Sequence, residues 1–219
     1  MTLPESFAPP PSPIVPPAPL RLGVLVSGRG SNLAAILAAC AAGDLAARVV
    51  QVISNRAGAG ALEIAAAHGV PAVTIARVAY PSRAAQHAAM IAALDGAGVE
   101  LVVCAGYDRV LPPDFCTHYA GRLMNLHPSL LPAFAGSLHA IAEAVSYGVR
   151  VTGVTVHFVT PDVDAGPIIL QEAVPVLPSD TAETLAARIH AVEHRLLPDA
   201  IRLFAAGRLR IDGRRVLIT

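Results

Sequence analysis

The sequence predicts an α/β protein built on a mostly parallel, twisted sheet with helices on both faces. Two observations predict it. Short apolar runs alternate with helical patterns through the first half, as βαβ units require. Those runs are apolar throughout rather than alternating, as strands covered on both faces must be. The 219 residues suffice for one domain with a substantial core.

The elements follow in order. Leu22–Val26 predicts a first strand that stops at Ser27-Gly28-Arg29-Gly30-Ser31-Asn32. Leu33–Ala42 has a helical pattern ended by Gly43. Val49–Ile53 predicts a second strand, and Gly60–His68 a helix with Gly69 at its C-terminal end. Pro71–Ile75, Ser82–Gly96 and Leu101–Ala105 predict a strand, a long helix and a fourth strand. In the second half Leu123–Leu126 reads as a strand running directly into His127-Pro128-Ser129-Leu130-Leu131-Pro132. His139–Tyr147 predicts a helix ending at Gly148, and Thr152–Phe158 and Ile168–Val174 predict two further strands. Thr181–Gly207 is helical, with Pro198 predicting a kink or a junction of two helices. Arg208–Ile218 predicts a terminal hairpin turning at Asp212-Gly213.

Met1–Leu20 carries eight prolines and lacks the basic and apolar regions of a secretory signal. Its composition predicts an extended arm outside the fold. Residues 21–219 then form a single domain in two halves, 21–120 and 121–219.

Composition excludes several functions. Sixteen acidic residues balance sixteen basic ones, all of them Arg, so no strongly basic face for nucleic acid is expected. Mean hydropathy is high at +0.56, but no run reaches the roughly 18 apolar residues that a membrane span needs. Cys40, Cys104 and Cys116 form no C-x-x-C pair and predict no disulfide framework. No histidine spacing resembles a zinc site, and no metal is expected.

In doubly covered sheets ligands bind at the carboxyl ends of strands, which directs attention first to the loops after Val26 and Ala105. The loop Ser27–Asn32 joins a strand to a helix, where glycines let backbone N–H groups approach an anion. It lacks the Lys of a phosphate-binding P-loop and the third glycine of a dinucleotide loop, so a single phosphate fits it better. The alternative is a tight turn with Ser31 or Asn32 as N-cap. Asn125 and His127 alternate at a strand end and so point the same way. An amide beside an imidazole can stabilise an oxyanion and move a proton. Asp164 lies in a loop between two strands, where it is either a turn residue or a partner for a histidine. Spacing alone does not bring it to His127. His68, His87 and His118 read as surface or peripheral groups.

These pieces together resemble the phosphoribosylglycinamide formyltransferase family. The resemblance rests on Ser27–Leu33, Ala105–Leu111, Asn125–Pro132, and Val156–Val159 followed by Asp164-Ala165-Gly166-Pro167-Ile168, and runs from about Arg21 to Ile211. It implies a Rossmann-like formyltransferase fold. The nucleotide-binding half is 21–120, and the folate and catalytic half is 121–219. By position, Gly30, Ser31 and Asn32 are expected to hold the phosphate of 5-phosphoribosylglycinamide. His190 and Glu193 are expected to touch the nucleotide, with Glu193 on the ribose hydroxyls. Arg83, Asp108, Arg109, Val110, Leu111, Asn125 and the loop Thr160, Pro161, Asp162, Val163 and Asp164 are expected to line the folate site. His127 is the expected general acid, its pKa raised by Asp164, with Asn125 donating to the oxyanion.

The resemblance further implies 10-formyltetrahydrofolate as a co-substrate with no tightly bound cofactor. It implies purine synthesis in the cytoplasm by a monomer or homodimer, with only small molecules as partners. Three positions depart from the family pattern. Asp108 replaces a usually apolar residue and is expected to face outward or pair with an Arg. His190 replaces a usual Gln, and Phe134–His139 is one residue longer than in some relatives. Competing expectations are a formyltetrahydrofolate hydrolase and a non-catalytic nucleotide-binding module. The hydrolase's site block typically reads His-His-Ser-Phe where this chain has His127-Pro128-Ser129-Leu130, and it would carry a regulatory domain before Arg21. Methionyl-tRNA formyltransferase would need a further domain after Thr219.

Overall fold

The computed structural model of the protein describes residues 18–219. The strands are β1 (Leu20–Val26), β2 (Ala47–Ser54), β3 (Ala72–Thr74), β4 (Leu101–Cys104), β5 (Leu123–His127), β6 (Val151–Phe158), β7 (Ile168–Pro175), β8 (Leu209–Asp212) and β9 (Arg215–Ile218). The α-helices are α1 (Ser31–Ala41), α2 (Gly60–Ala67), α3 (Arg83–Gly96), α4 (Pro113–His118), α5 (Ala140–Tyr147) and α6 (Ala182–Ala205). All nine strands form one sheet in the order β3-β2-β1-β4-β5-β6-β7-β9-β8. The five strands from β3 to β5 are parallel, β6 runs antiparallel to both β5 and β7, and β8 and β9 form the terminal hairpin.

The two faces of the sheet carry separate cores. Leu22, Val24 and Val26 of β1 pack with Leu33, Ile36, Leu185, Leu197 and Ile201 from α1 and α6. On the opposite face Leu25 and Val102 pack with Met90 and Leu94 of α3 and Phe115 of α4. Each large side chain so buried contributes about 1.5–3 kcal/mol. This double cover is why the strands read as unbroken apolar runs.

Several boundaries differ from the sequence reading. Leu20 is already strand, its N–H bonded to the Ala46 carbonyl at 3.0 Å, so Leu20 belongs to the fold rather than to the expected arm. The rest of that expectation, residues 1–17, lies outside the described residues. Helix α4 spans only six residues, too few to display a period. The stretch around Pro198 is not a junction of two helices: α6 is one helix of 24 residues with Pro198 inside it. Interior proline costs a helix about 3 kcal/mol. Burial of Leu196, Leu197, Ala200 and Ile201 around it offsets that cost.

Candidate active site

Strand β5 delivers Asn125 and His127 to the carboxyl edge of the sheet. Its antiparallel neighbour β6 places His157 directly opposite Asn125 in register. The β6–β7 loop then returns Asp164 over both. Asp164 Oδ2 lies 3.3 Å from His127 Nδ1, and Oδ1 lies 3.6 Å from His157 Nε2. Asn125 Nδ2 is 3.4 Å from Asp164 Oδ1 and 3.2 Å from His157 Nε2. The sheet topology thus brings Asn125, His127 and Asp164 together, as expected.

The segment after β5 wraps round the imidazole. Leu131 N–H donates to Thr155 Oγ1 and Thr155 Oγ1 donates to the Ser129 carbonyl, at 3.1 and 2.7 Å. Gln171 Nε2 donates to both Thr155 Oγ1 and the Leu131 carbonyl. That buried network aims the Phe134 carbonyl at His127 Nε2, 3.1 Å away. One turn later the Gly136 N–H donates to Asp164 Oδ2 at 2.8 Å. Phe134 and Asp164, at φ 57° and 50°, are the non-glycine residues with left-handed backbone among those described. Both touch a ring nitrogen of His127, so the local backbone strain is concentrated on that side chain's two partners. Gly166 closes the Asp164 loop against β6. A Cβ there would lie 1.7 Å from the Phe158 carbonyl oxygen, which no side chain could tolerate.

The electrostatics correct one expectation. Burial pushes the His127 imidazole below the ordinary histidine value, outweighing the upward pull of the Asp164 carboxylate and the Phe134 carbonyl. The Asp164 contact exists and its own pull is upward, but the net shift is downward. Both nitrogens nonetheless face acceptors, and a second proton arriving on the ring finds a partner. Burial works to raise the Asp164 carboxyl. The neighbouring His157 ring, the Gly136 N–H and nearby His127 more than reverse it and hold the carboxyl below its ordinary range.

Two cavities meet at this cluster. The first, about 320 Å³, is lined by Gly28–Asn32, Tyr107, Asn125, His127, His190 and Glu193. Gly30 is the N-cap of α1 at φ 86°, and no side chain caps the helix. The alternative of Ser31 or Asn32 as N-cap is therefore not what forms. The free N–H groups of the first turn stay open to an anion. A Cβ on Gly30 would sit 2.7 Å from Ala61, so only glycine fits this turn. Asn32 Nδ2 donates to Glu193 Oε2 at 3.0 Å, which holds a buried carboxylate against the cavity.

The second cavity, about 230 Å³, is lined by Tyr107–Leu111, Asn125, His127, Leu138, Val159–Pro161, Val163 and Asp164. It is the more apolar of the two. Asp108 does not face outward: it pairs with Arg56, accepts from Asn55 Nδ2 at 2.8 Å, and lies 3.5 Å from Arg109 Nε. Its backbone N–H donates to Ser27 Oγ. Burial raises its carboxyl, but these hydrogen bonds and cations hold it below the ordinary range. Two expected residues stand apart. Arg83 lines outer grooves with His87 and Val110 rather than this cavity. Asp162 is not among the residues lining the cavity, and its carbonyl accepts from Thr160 Oγ1. His118 pairs at the surface with Asp95. Sequence reasoning gave no role to His157, Phe134, Gly136 or Arg56. A lone histidine inside the β-branched run 152–158 was the available signal for the first.

An ionised carboxylate, an imidazole and an amide, set on the wall between a polar and an apolar cavity, define an enzyme that passes a group between two bound molecules. The sequence profile of the formyl transferase family matches residues 20–201. The chain belongs to the formyl transferase family. The phosphoribosylglycinamide formyltransferase of Mycobacterium tuberculosis is 46% identical over 211 residues, 94% of this chain and 97% of that protein. The trifunctional purine biosynthetic protein adenosine-3 of Bos taurus is 43% identical over 207 residues, and the chain spans 20% of its length. The crystal structure of glycinamide ribonucleotide transformylase 1 from Symbiobacterium toebii superposes with a TM-score of 0.89 at 54% identity, covering 92% of this chain and 95% of that one. Among the described residues no helix is long and apolar enough to cross a membrane.

Proposed function

We propose that the protein transfers the formyl group of 10-formyltetrahydrofolate to the amine of 5-phosphoribosylglycinamide, a step of purine synthesis. The observation that carries this is the position of Asn125 and His127 on the shared wall of the two cavities. A nucleotide in the first cavity and a folate in the second would meet there. The names of the relatives point to the same substrates.

In this reading the first turn of α1, with Gly30, Ser31 and Asn32, takes the phosphate, and Glu193 accepts from the ribose hydroxyls with His190 beside it. Asp108, Arg109, Val110, Leu111 and the segment 160–164 form the folate slot, with Arg83 reaching only its outer end. As the amine attacks the formyl carbon, an Asn125 N–H donates to the oxyanion. A proton must leave the amine and one must reach the departing folate nitrogen. Neutral His127 takes the first and supplies the second, and Asp164 stabilises the imidazolium in between. One ring nitrogen must give up its partner to do this. The Phe134 carbonyl, in a loop, is the exchangeable one, and the Asp164 contact holds the ring while it is charged. The folate is consumed as a co-substrate and no resident cofactor takes part. The enzyme acts in the cytoplasm, as a monomer or homodimer, without nucleic acid or membrane.

The test is to incubate the protein with formyl-folate, with and without the ribonucleotide, and follow deformylation. Turnover only with the ribonucleotide supports transfer. Equal turnover without it means a hydrolase, and none in either case a binding module.

A further inference from the structure

We propose that His157 is a positioning residue that sets the orientation of the Asn125 amide, an inference that rests on the formyl-transfer reading. His157 is 1% exposed in the middle of β6, and its two ring nitrogens face different chemistries. Nδ1 lies 2.9 Å from the Phe158 carbonyl, which can only accept, so Nδ1 carries the ring proton. In the neutral ring Nε2 is then a bare lone pair. The groups facing it are Asn125 Nδ2 at 3.2 Å and, beyond hydrogen-bond distance, Asp164 Oδ1 at 3.6 Å.

An amide can present either its oxygen or its nitrogen at nearly equal steric cost. Here the lone pair of His157 selects the nitrogen and takes one of its two N–H groups. The other lies against Asp164 Oδ1 at 3.4 Å, too long to hold it firmly. That loosely held N–H is the one available to an oxyanion in the cavity. Without the His157 lone pair, the 3.4 Å contact alone would oppose a flip that turns the amide oxygen towards developing negative charge. The cross-strand register of Asn125 with His157 makes the selection a property of the fold.

Two substitutions separate positioning from packing. His157→Gln keeps an acceptor near the Nε2 position but loses the Nδ1 donor. His157→Asn keeps a donor near Nδ1 but loses the Nε2 acceptor. The proposal expects His157→Asn to lower kcat by about 10²-fold, the scale of a misplaced catalytic contact, with KM for both substrates little changed. His157→Gln should recover most of kcat. The reverse pattern, rescue by Asn and not by Gln, would mean that only the Phe158 contact matters and would overturn the proposal. ¹⁵N NMR of the wild-type histidines is an arm independent of turnover. A protonated Nδ1 and bare Nε2 on His157 are expected, and a protonated Nε2 refutes the idea even if both variants fail to fold. Absence of formyl transfer in the wild type would sink the functional reading instead and leave the tautomer result standing.

Discussion

The two cavities that meet at His127 are built by opposite means. The first opens onto backbone at one end: a glycine turn and an uncapped helix start, beside a buried carboxylate braced by Asn32. The second is mostly side chains, drawn from the β4 loop, the 134–139 loop and the antiparallel pair β6–β7. Backbone N–H groups suit a compact anion, and apolar walls suit a flat ring system. The difference teaches that a parallel half and an antiparallel half have been joined so that one strand, β5, serves both. Its register sets Asn125 and His127 at the seam.

The largest expected effect breaks the seam itself. His127→Ala should fold and lose about 10²–10⁴ in kcat, as steady-state assays of the purified variant will measure. Near-normal turnover would remove His127 from the mechanism. Asp164→Asn keeps the shape but removes the charge. Because burial already depresses His127 and the carboxylate is what opposes it, the substitution should lower the imidazole pKa further, along with turnover at pH 7. NMR titration of His127 should give a wild-type value below about 6.5, the free value, and a lower one in the variant. An unchanged value would show the pair to be uncoupled.

A change confined to the first cavity sharpens the contrast. Glu193→Gln should raise KM for the ribonucleotide about ten- to a hundredfold, since a hydrogen bond to a charged group is worth about 1.5–3 kcal/mol. KM for the folate should stay the same. A shift in both would mean that the cavities are not independent.

The smallest effect is on stability. A folded pKa below the unfolded one means that the unfolded chain binds more protons, so His127 costs stability as pH falls through about 6.5 and no more below its folded value. Asp164 contributes stability above the unfolded carboxyl value of about 3.9, lost as pH falls through its lower folded value. Replacing His127 with Asn should therefore flatten the loss just below pH 6.5 in denaturant titrations, leaving the loss in stronger acid.

Much of this was legible in the chain. The apolar runs of 22–26 and 101–105 announced a doubly covered sheet, because burial on both faces removes polar residues from a strand. Gly28-Arg29-Gly30-Ser31-Asn32 announced a glycine turn from strand into helix, because strand, turn and helix start are local in sequence. Asn125 and His127 could be placed on one face because the strand period is two. What the sequence could not decide is what those side chains meet. Asp164 and His157 reach β5 only through strand pairing across 30 to 40 residues. The Phe134 carbonyl, the downward shift of His127 and the Arg56–Asp108 pair all depend on which loops fold over which strand ends. Local patterns follow from chain stereochemistry, whereas partners and burial are set by sheet order. Only the tertiary structure decided that His127 is buried with an acceptor facing each ring nitrogen.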